Sequence, residues 1–257
     1  METIPTVAER RAESWREELR QGMKAKERTA IHRVEMNELD PDYRSHNNEE
    51  VNQGLTEEQA LREAQRCLDC VTPTCMEGCP VSIQIPSFIK NIERGNFLEA
   101  ARVLKETSAL PAVCGRVCPQ ENQCEKLCIL GKRGEPVGIG RLERFAADWQ
   151  LAQEEEVKPV EFAPDAQKVA IIGAGPAGLS CAGDLAKKGY RVTIFEALHV
   201  AGGVLSYGIP EFRLPKDGVV QKEVENLRKL GVTIELNSVV GRLYTIDELM
   251  EEEGFDA

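Results

Sequence analysis

"VAIIGAGPAGLSCAGDLAKKGYRVTIFE", residues 169–196, decides the fold of the C-terminal part of the chain. An apolar run leads into glycines at 173, 175 and 178, and a helical pattern closed by Gly189 follows. A second strand pattern then ends on Glu196. A bare GxGxxG says little, but strand, glycine loop, helix, strand and terminal acid in this order make a specific signal for dinucleotide binding. Gly173 permits the tight turn, and Gly175 lets the backbone approach a pyrophosphate. Gly178 lets helix and strand pack closely. Ala174, Pro176 and Ala177 complete the loop, and the helix N-terminus offers unpaired N–H groups and a positive dipole end. Glu196 can accept hydrogen bonds from ribose hydroxyls and would repel a 2′-phosphate, so NADP is not expected here. FAD and NAD both fit.

Outward from this stretch, "KVAIIG" reads as a buried parallel strand. "DGVVQKEVENLRKLG" reads as a helix and "VTIEL" as a third strand. Alternating strand and helix is the pattern of a doubly wound α/β domain. Before it, "EEEVKPVEFAPDA", residues 154–166, is acidic and holds two prolines, which suits a linker.

The signals before residue 160 are helical. Thr6-x-x-Glu9 is a capping box for a helix that Gly22 can close, and Thr56-x-x-Gln59 opens a helix running into Cys67. "SFIKNIERGNFLEAARVLKET" reads as two short helices broken at Gly95. "IGRLERFAADWQLAQ" places Ile139, Leu142, Phe145, Ala146 and Trp149 on one helical face. Residues 23–55 are polar and irregular, as expected of an extended arm lying on a partner.

Two cysteine groups dominate this half: Cys67-x2-Cys70-x4-Cys75-x3-Cys79-Pro80 and Cys114-x3-Cys118-Pro119-x5-Cys124-x3-Cys128. The charged N-terminus lacks a signal-peptide apolar run, and no apolar stretch approaches the ~18 residues of a membrane span. A cytoplasmic setting keeps thiols reduced, so grouped cysteines point to metal rather than disulfides. Groups ending in Cys-Pro suit [4Fe–4S] clusters, with the last cysteine of a group reaching the other cluster. Zinc is the alternative, but only one C-x2-C is present. The net charge of −11 and the absence of basic runs argue against nucleic acid. Cys181 reads as a small buried hydrophobe. His32, His46 and His199 are too scattered for a metal site, and no nucleophile pairing suggests covalent catalysis.

Two resemblances extend this reading. "HVAGGVLSYGIPEFRLPK", residues 199–216, resembles the second segment of the two-dinucleotide-binding flavoproteins. That resemblance implies FAD, approached by Gly202 and Gly203, with Val204 and Arg213 as further contacts. Val239 or Val240 would meet the adenine by its backbone. The cysteine groups and the fingerprint together resemble the small (β) subunit of NADPH-dependent glutamate synthase. They equally resemble the large subunit of the electron-bifurcating NADH-dependent ferredoxin:NADP+ oxidoreductase, and dihydropyrimidine dehydrogenase shares the module.

The resemblance implies an α-helical domain binding two [4Fe–4S] clusters over residues 1–160. It implies an incomplete α/β Rossmann-like FAD-binding domain over 161–257. One cluster would take Cys67, Cys70, Cys75 and Cys128. The other would take Cys79, Cys118, Cys124 and Glu143, leaving Cys114 spare. Relatives continue past this point into an NADPH-binding domain, so the chain reads as part of a longer subunit. That subunit would pass electrons from NADPH through FAD and the clusters to a partner, either a glutamate synthase large subunit or a flavin/[2Fe–2S] subunit. A non-catalytic cluster-binding or assembly module is the reading from a different class.

Overall fold

The computed structural model describes residues 4–153 and 159–257. The chain divides into two compact units, Glu2–Glu154 and Glu155–Ala257.

The N-terminal unit opens on α1 (Val7–Arg11) and α2 (Ser14–Gly22). The Thr6–Glu9 capping box forms, but the helix breaks at Ala12–Glu13 instead of running to Gly22. Then come α3 (Ala25–Ala30), β1 (Asn37–Glu38), α4 (Pro41–Arg44) and β2 (Asn52–Gly54), with β1 and β2 antiparallel. The expected extended arm is therefore folded onto its own unit. The cause is a set of buried polar anchors: Arg28 pairs with Glu93 at 2.8 Å, and Asn37 bonds to Gly54 and Gln59.

The capped helix α5 (Glu57–Gln65) stops just short of Cys67. It is followed by α6 (Thr74–Glu77), α7 (Ile85–Glu93), α8 (Phe97–Lys105), α9 (Pro111–Val117) and α10 (Ile139–Ala152). Gly95, at φ +77, makes the break between α7 and α8. The core lies between α5, α7, α8 and α10, where Phe88, Ile89, Ile92, Leu104 and Leu142 lose all contact with solvent. Each such side chain contributes about 1.5–3 kcal/mol of apolar burial. Phe97 meets Phe145 edge-on at 5.0 Å between ring centroids, with Trp149 alongside. Sequence periodicity thus identified the α10 face correctly.

The C-terminal unit holds β3 (Lys168–Ile172), α11 (Pro176–Lys187), β4 (Arg191–Phe195) and α12 (Val204–Tyr207). A π-helical turn over Lys216–Val220 leads into α13 (Gln221–Leu230), then β5 (Thr233–Glu235) and α14 (Ile246–Glu251). The sheet is parallel, ordered β3-β4-β5. Central β4 is buried at Val192 and Ile194. Contrary to expectation β3 is an edge, with Ile172 60% exposed. Among the described residues, its outer side meets residues 256–257, where Ala170 N–H donates to the Ala257 carbonyl and Asp256 N–H to the Lys168 carbonyl. The first five residues of the expected linker lie outside the described residues. Val160 and Phe162 already pack against the end of α13.

Candidate iron–sulfur and nucleotide sites

Cys67, Cys70, Cys75 and Cys128 wall one cavity, closed by Leu68, Ile85, Ile89, Val137 and Ile139. The chain is bent to form it. Asp69 sits at φ +51 between Cys67 and Cys70, fully buried, with its carboxylate held by Arg16 and Arg20 of α2. Arg11 donates to the Asp69 carbonyl at 2.9 Å. Thr74 Oγ1 donates to the Leu127 carbonyl at 2.7 Å, tying the first cysteine loop to the second. Burial pushes the Cys67 thiol up to about 11, against the pull of Lys90. Cys75 is raised further by burial and then by Cys67, Cys128 and Cys70, and Cys70 by burial and then Cys128. Four mutually repelling acids facing one space are the arrangement that a polycationic iron core compensates.

Lys90 is fully buried, with Nζ on the Cys67 carbonyl at 2.6 Å and paired with Glu93. Arg28 shares Glu93 and reaches the Gln65 carbonyl at 2.6 Å. Positive charge therefore backs the first cysteine set.

The other four groups meet separately. Cys124 is raised to about 12 by burial, then Glu125, Glu143, Cys79 and Cys118. Cys118 is raised to about 11 by burial, then Glu143 and Cys79. The two sets are neighbours, since Cys75 also senses Cys124. Glu143 is 5% exposed, and burial raises its carboxyl to about 8 against a hydrogen bond from Gln120. Its Oε1 is buried with no hydrogen-bond partner, a costly state that a metal ligand bond would relieve. The donor set fits a cluster. Among the described residues no three His, Cys, Asp or Glu groups could hold a single ion, and each ligand of a cubane meets a different iron.

Close backbone approach assembles this second set. A Cβ on Gly78 would stand 2.6 Å from the Gln123 carbonyl, so the turn before Cys79 lies directly on the backbone of Gln123 and Cys124. A Cβ on Gly115 would stand 2.6 Å from Arg144 N, so α9 and α10 touch backbone to backbone beside Glu143. Sequence reasoning missed these glycines, along with Lys90 and Gln120. A glycine inside α9 was the available signal for Gly115, whereas Gly78 lies in the turn that ends α6.

In the C-terminal unit Gly173 takes φ +99. A Cβ on Gly178 would fall on the Gly173 carbonyl, while Gly175 faces open space. Gly202 N–H donates to the Ala174 carbonyl at 2.8 Å, and a Cβ on Gly203 would approach Gly175 Cα at 2.8 Å. The glycine pair and the glycine loop are therefore one structure. Glu196, buried, accepts from Ala174 N–H at 2.7 Å and Leu198 N–H at 2.8 Å. Its carboxylate thus latches the glycine loop to the end of β4. Ser238 N–H on the Glu196 carbonyl brings 238–240 to the same edge. All of this lies at the carboxyl ends of the strands, where such sheets bind ligands. Open space at Gly175 beside the free first-turn N–H groups of α11 fits a diphosphate. Val204, Val239 and Arg213 are exposed, and Val240 bridges to Tyr244. Cys181, expected to be buried, is exposed. It lies on the outer side of α11, whose packed positions are Leu179, Ala182, Gly183 and Ala186.

Two stretches of the chain match families of known proteins. Residues 44–155 match the family described as dihydropyrimidine dehydrogenase domain II, 4Fe-4S cluster, and residues 171–228 match the NAD(P)-binding Rossmann-like domain. Over these two stretches the chain is similar to iron–sulfur and NAD(P)-binding oxidoreductase subunits. It is similar to the glutamate synthase [NADPH] small chain of Escherichia coli (strain K12). The two are 38% identical over 79% of this chain and 43% of the relative. It is 41% identical to the NAD-dependent dihydropyrimidine dehydrogenase subunit PreT of the same organism, over 79% of this chain and 49% of PreT. The putative oxidoreductase UacF of that organism is 40% identical over 79% of this chain and 32% of UacF. The chain thus spans a third to a half of these relatives. Among the described residues no helix is long and apolar enough to cross a membrane.

Proposed function

We propose that the chain is the cluster-and-flavin part of an NAD(P)H-dependent oxidoreductase subunit, most like the glutamate synthase small subunit, working in the cytoplasm. Cys67, Cys70, Cys75 and Cys128 hold one [4Fe–4S] cluster. Cys79, Cys118, Cys124 and Glu143 hold the other. The loop Gly173–Gly178, with Glu196, Gly202, Gly203, Val204, Arg213 and the 239–240 backbone, holds FAD. When bound, the clusters supply one-electron transfer and the flavin supplies the exchange between hydride and single electrons. The chain's residues exclude water, fix the ligand atoms and set the local charge. NADPH would enter through a domain outside this chain, and electrons would leave to a partner subunit.

The observation that supports this reading best is the crossed grouping. Cys128 faces Cys67, Cys70 and Cys75, whereas Cys79 is coupled to Cys118 and Cys124 beside the unpartnered carboxylate of Glu143. Protein purified anaerobically should carry about eight irons and eight sulfides per chain. Zinc in their place would overturn the cluster reading. FAD released on denaturation supports the flavin reading, and NAD in its place overturns that part alone.

A further inference from the structure

The carboxylate of Glu143 is unevenly served. Oε1 is buried without a partner, while Oε2 accepts from Gln120 Nε2 at 3.3 Å. The same nitrogen donates to the Cys114 carbonyl at 3.1 Å, so both hydrogens of the amide face acceptors. The amide has a dedicated seat, because a Cβ on Gly140, in the first turn of α10, would land on it. Gly140 N–H is itself held by Glu125 at 3.2 Å. Glycine is a poor helix former, so its place in α10 answers to packing. Cys114 serves this contact through its carbonyl.

We propose that Gln120 is the positioning residue for the carboxylate ligand of the second cluster, holding Oε2 so that Oε1 alone meets iron. This rests on the reading of Glu143 as a ligand. A partner that orients a metal-bound carboxylate also tunes it. An N–H on the distal oxygen withdraws charge, weakens the carboxylate as a donor and raises the cluster's potential relative to an unheld ligand.

The test is a pair of substitutions in the cluster-loaded protein, read by EPR during redox titration. Gln120→Met keeps an unbranched chain and removes the N–H. Gly140→Ala keeps the glutamine but pushes its flexible amide off its seat. Both variants should retain about eight irons, shift one midpoint downward with an altered EPR line shape, and leave the other cluster unmoved. Combined, they should shift no further than either alone, since both remove one interaction. Midpoints and spectra unchanged in both variants, with Glu143→Ala altering one cluster, would overturn the role of Gln120. Glu143→Ala leaving both clusters intact would instead remove the reading beneath it. If Gln120→Met fails to fold, Gly140→Ala decides alone, because alanine is the better helix former at that position.

Discussion

At the residue scale, the nine cysteines separate by what surrounds each one, not by spacing. Cys114 lies within the second group, yet what it gives Gln120 is its backbone carbonyl, at 3.1 Å, which an alanine would keep. Cys114→Ala should therefore keep both clusters at wild-type iron content, whereas Cys128→Ser should lose the one built with Cys67, Cys70 and Cys75. Iron and sulfide analysis reads both. Lys90 carries a second prediction. Its buried charge favours the extra electron on the adjacent cluster, so Lys90→Met should lower that cluster's midpoint in a redox titration. Arg28 still pairs with Glu93 in that variant, so the cost in stability should fall below the roughly 3–5 kcal/mol of a fully broken buried pair. Nothing in the local sequence marked Lys90. It sits in "SFIKNIE", where a lysine reads as the solvated side of a helix, and only packing against Cys67 shows otherwise.

At the element scale, the helices were legible where periodicity and caps agreed. Thr56, Gly95 and the α10 stripe all act as expected. The α1–α2 break and the folded arm were not legible, because both depend on arginines reaching partners far along the chain. Arg16 and Arg20 find Asp69, and Arg28 finds Glu93. The contact of α9 with α10 can be tested directly. Gly115→Ala sets a methyl against the Arg144 backbone, which cannot yield as a flexible side chain can. It should cost about 1–3 kcal/mol as overpacking, measured by chemical denaturation, and should loosen the cluster that Glu143 is proposed to hold. Gly178→Ala should likewise part α11 from the glycine loop, and flavin retained at wild-type stoichiometry would contradict that.

At the scale of the whole molecule, the two units should respond differently to loss of iron. In the proposed ligand sets residues 67–79 and 118–143 cross, so the clusters would join segments that the polypeptide alone leaves distant. Iron removal should lower the transition temperature of the N-terminal unit and leave that of the C-terminal unit, as two calorimetric transitions would reveal. The cluster-free protein should also lose stability as pH rises. Burial raises the Glu143 carboxyl from 4.5 to about 8 in the folded chain. Between those values the unfolded chain has released a proton that the folded chain still holds. Folding stability is therefore full below about 4.5 and declines toward 8, by at most about 1.4 kcal/mol per pH unit. Replacement by Gln, which does not titrate, should flatten that slope in denaturation curves taken across the range.

The sequence by itself determined the domain classes. The glycine spacing, the capping boxes and the Cys-Pro groups are local, and each states a backbone requirement that few alternatives meet. Resemblance then supplied the ligand sets. The tertiary structure alone decided what faces what: that β3 is an edge, that Cys181 is exposed, that Glu143 is buried with one unpartnered oxygen, and that Gln120 rests on Gly140 to hold the other. Those facts depend on contacts between residues tens of positions apart. Desolvation and close approach create them, and neither is written in the order of neighbouring side chains.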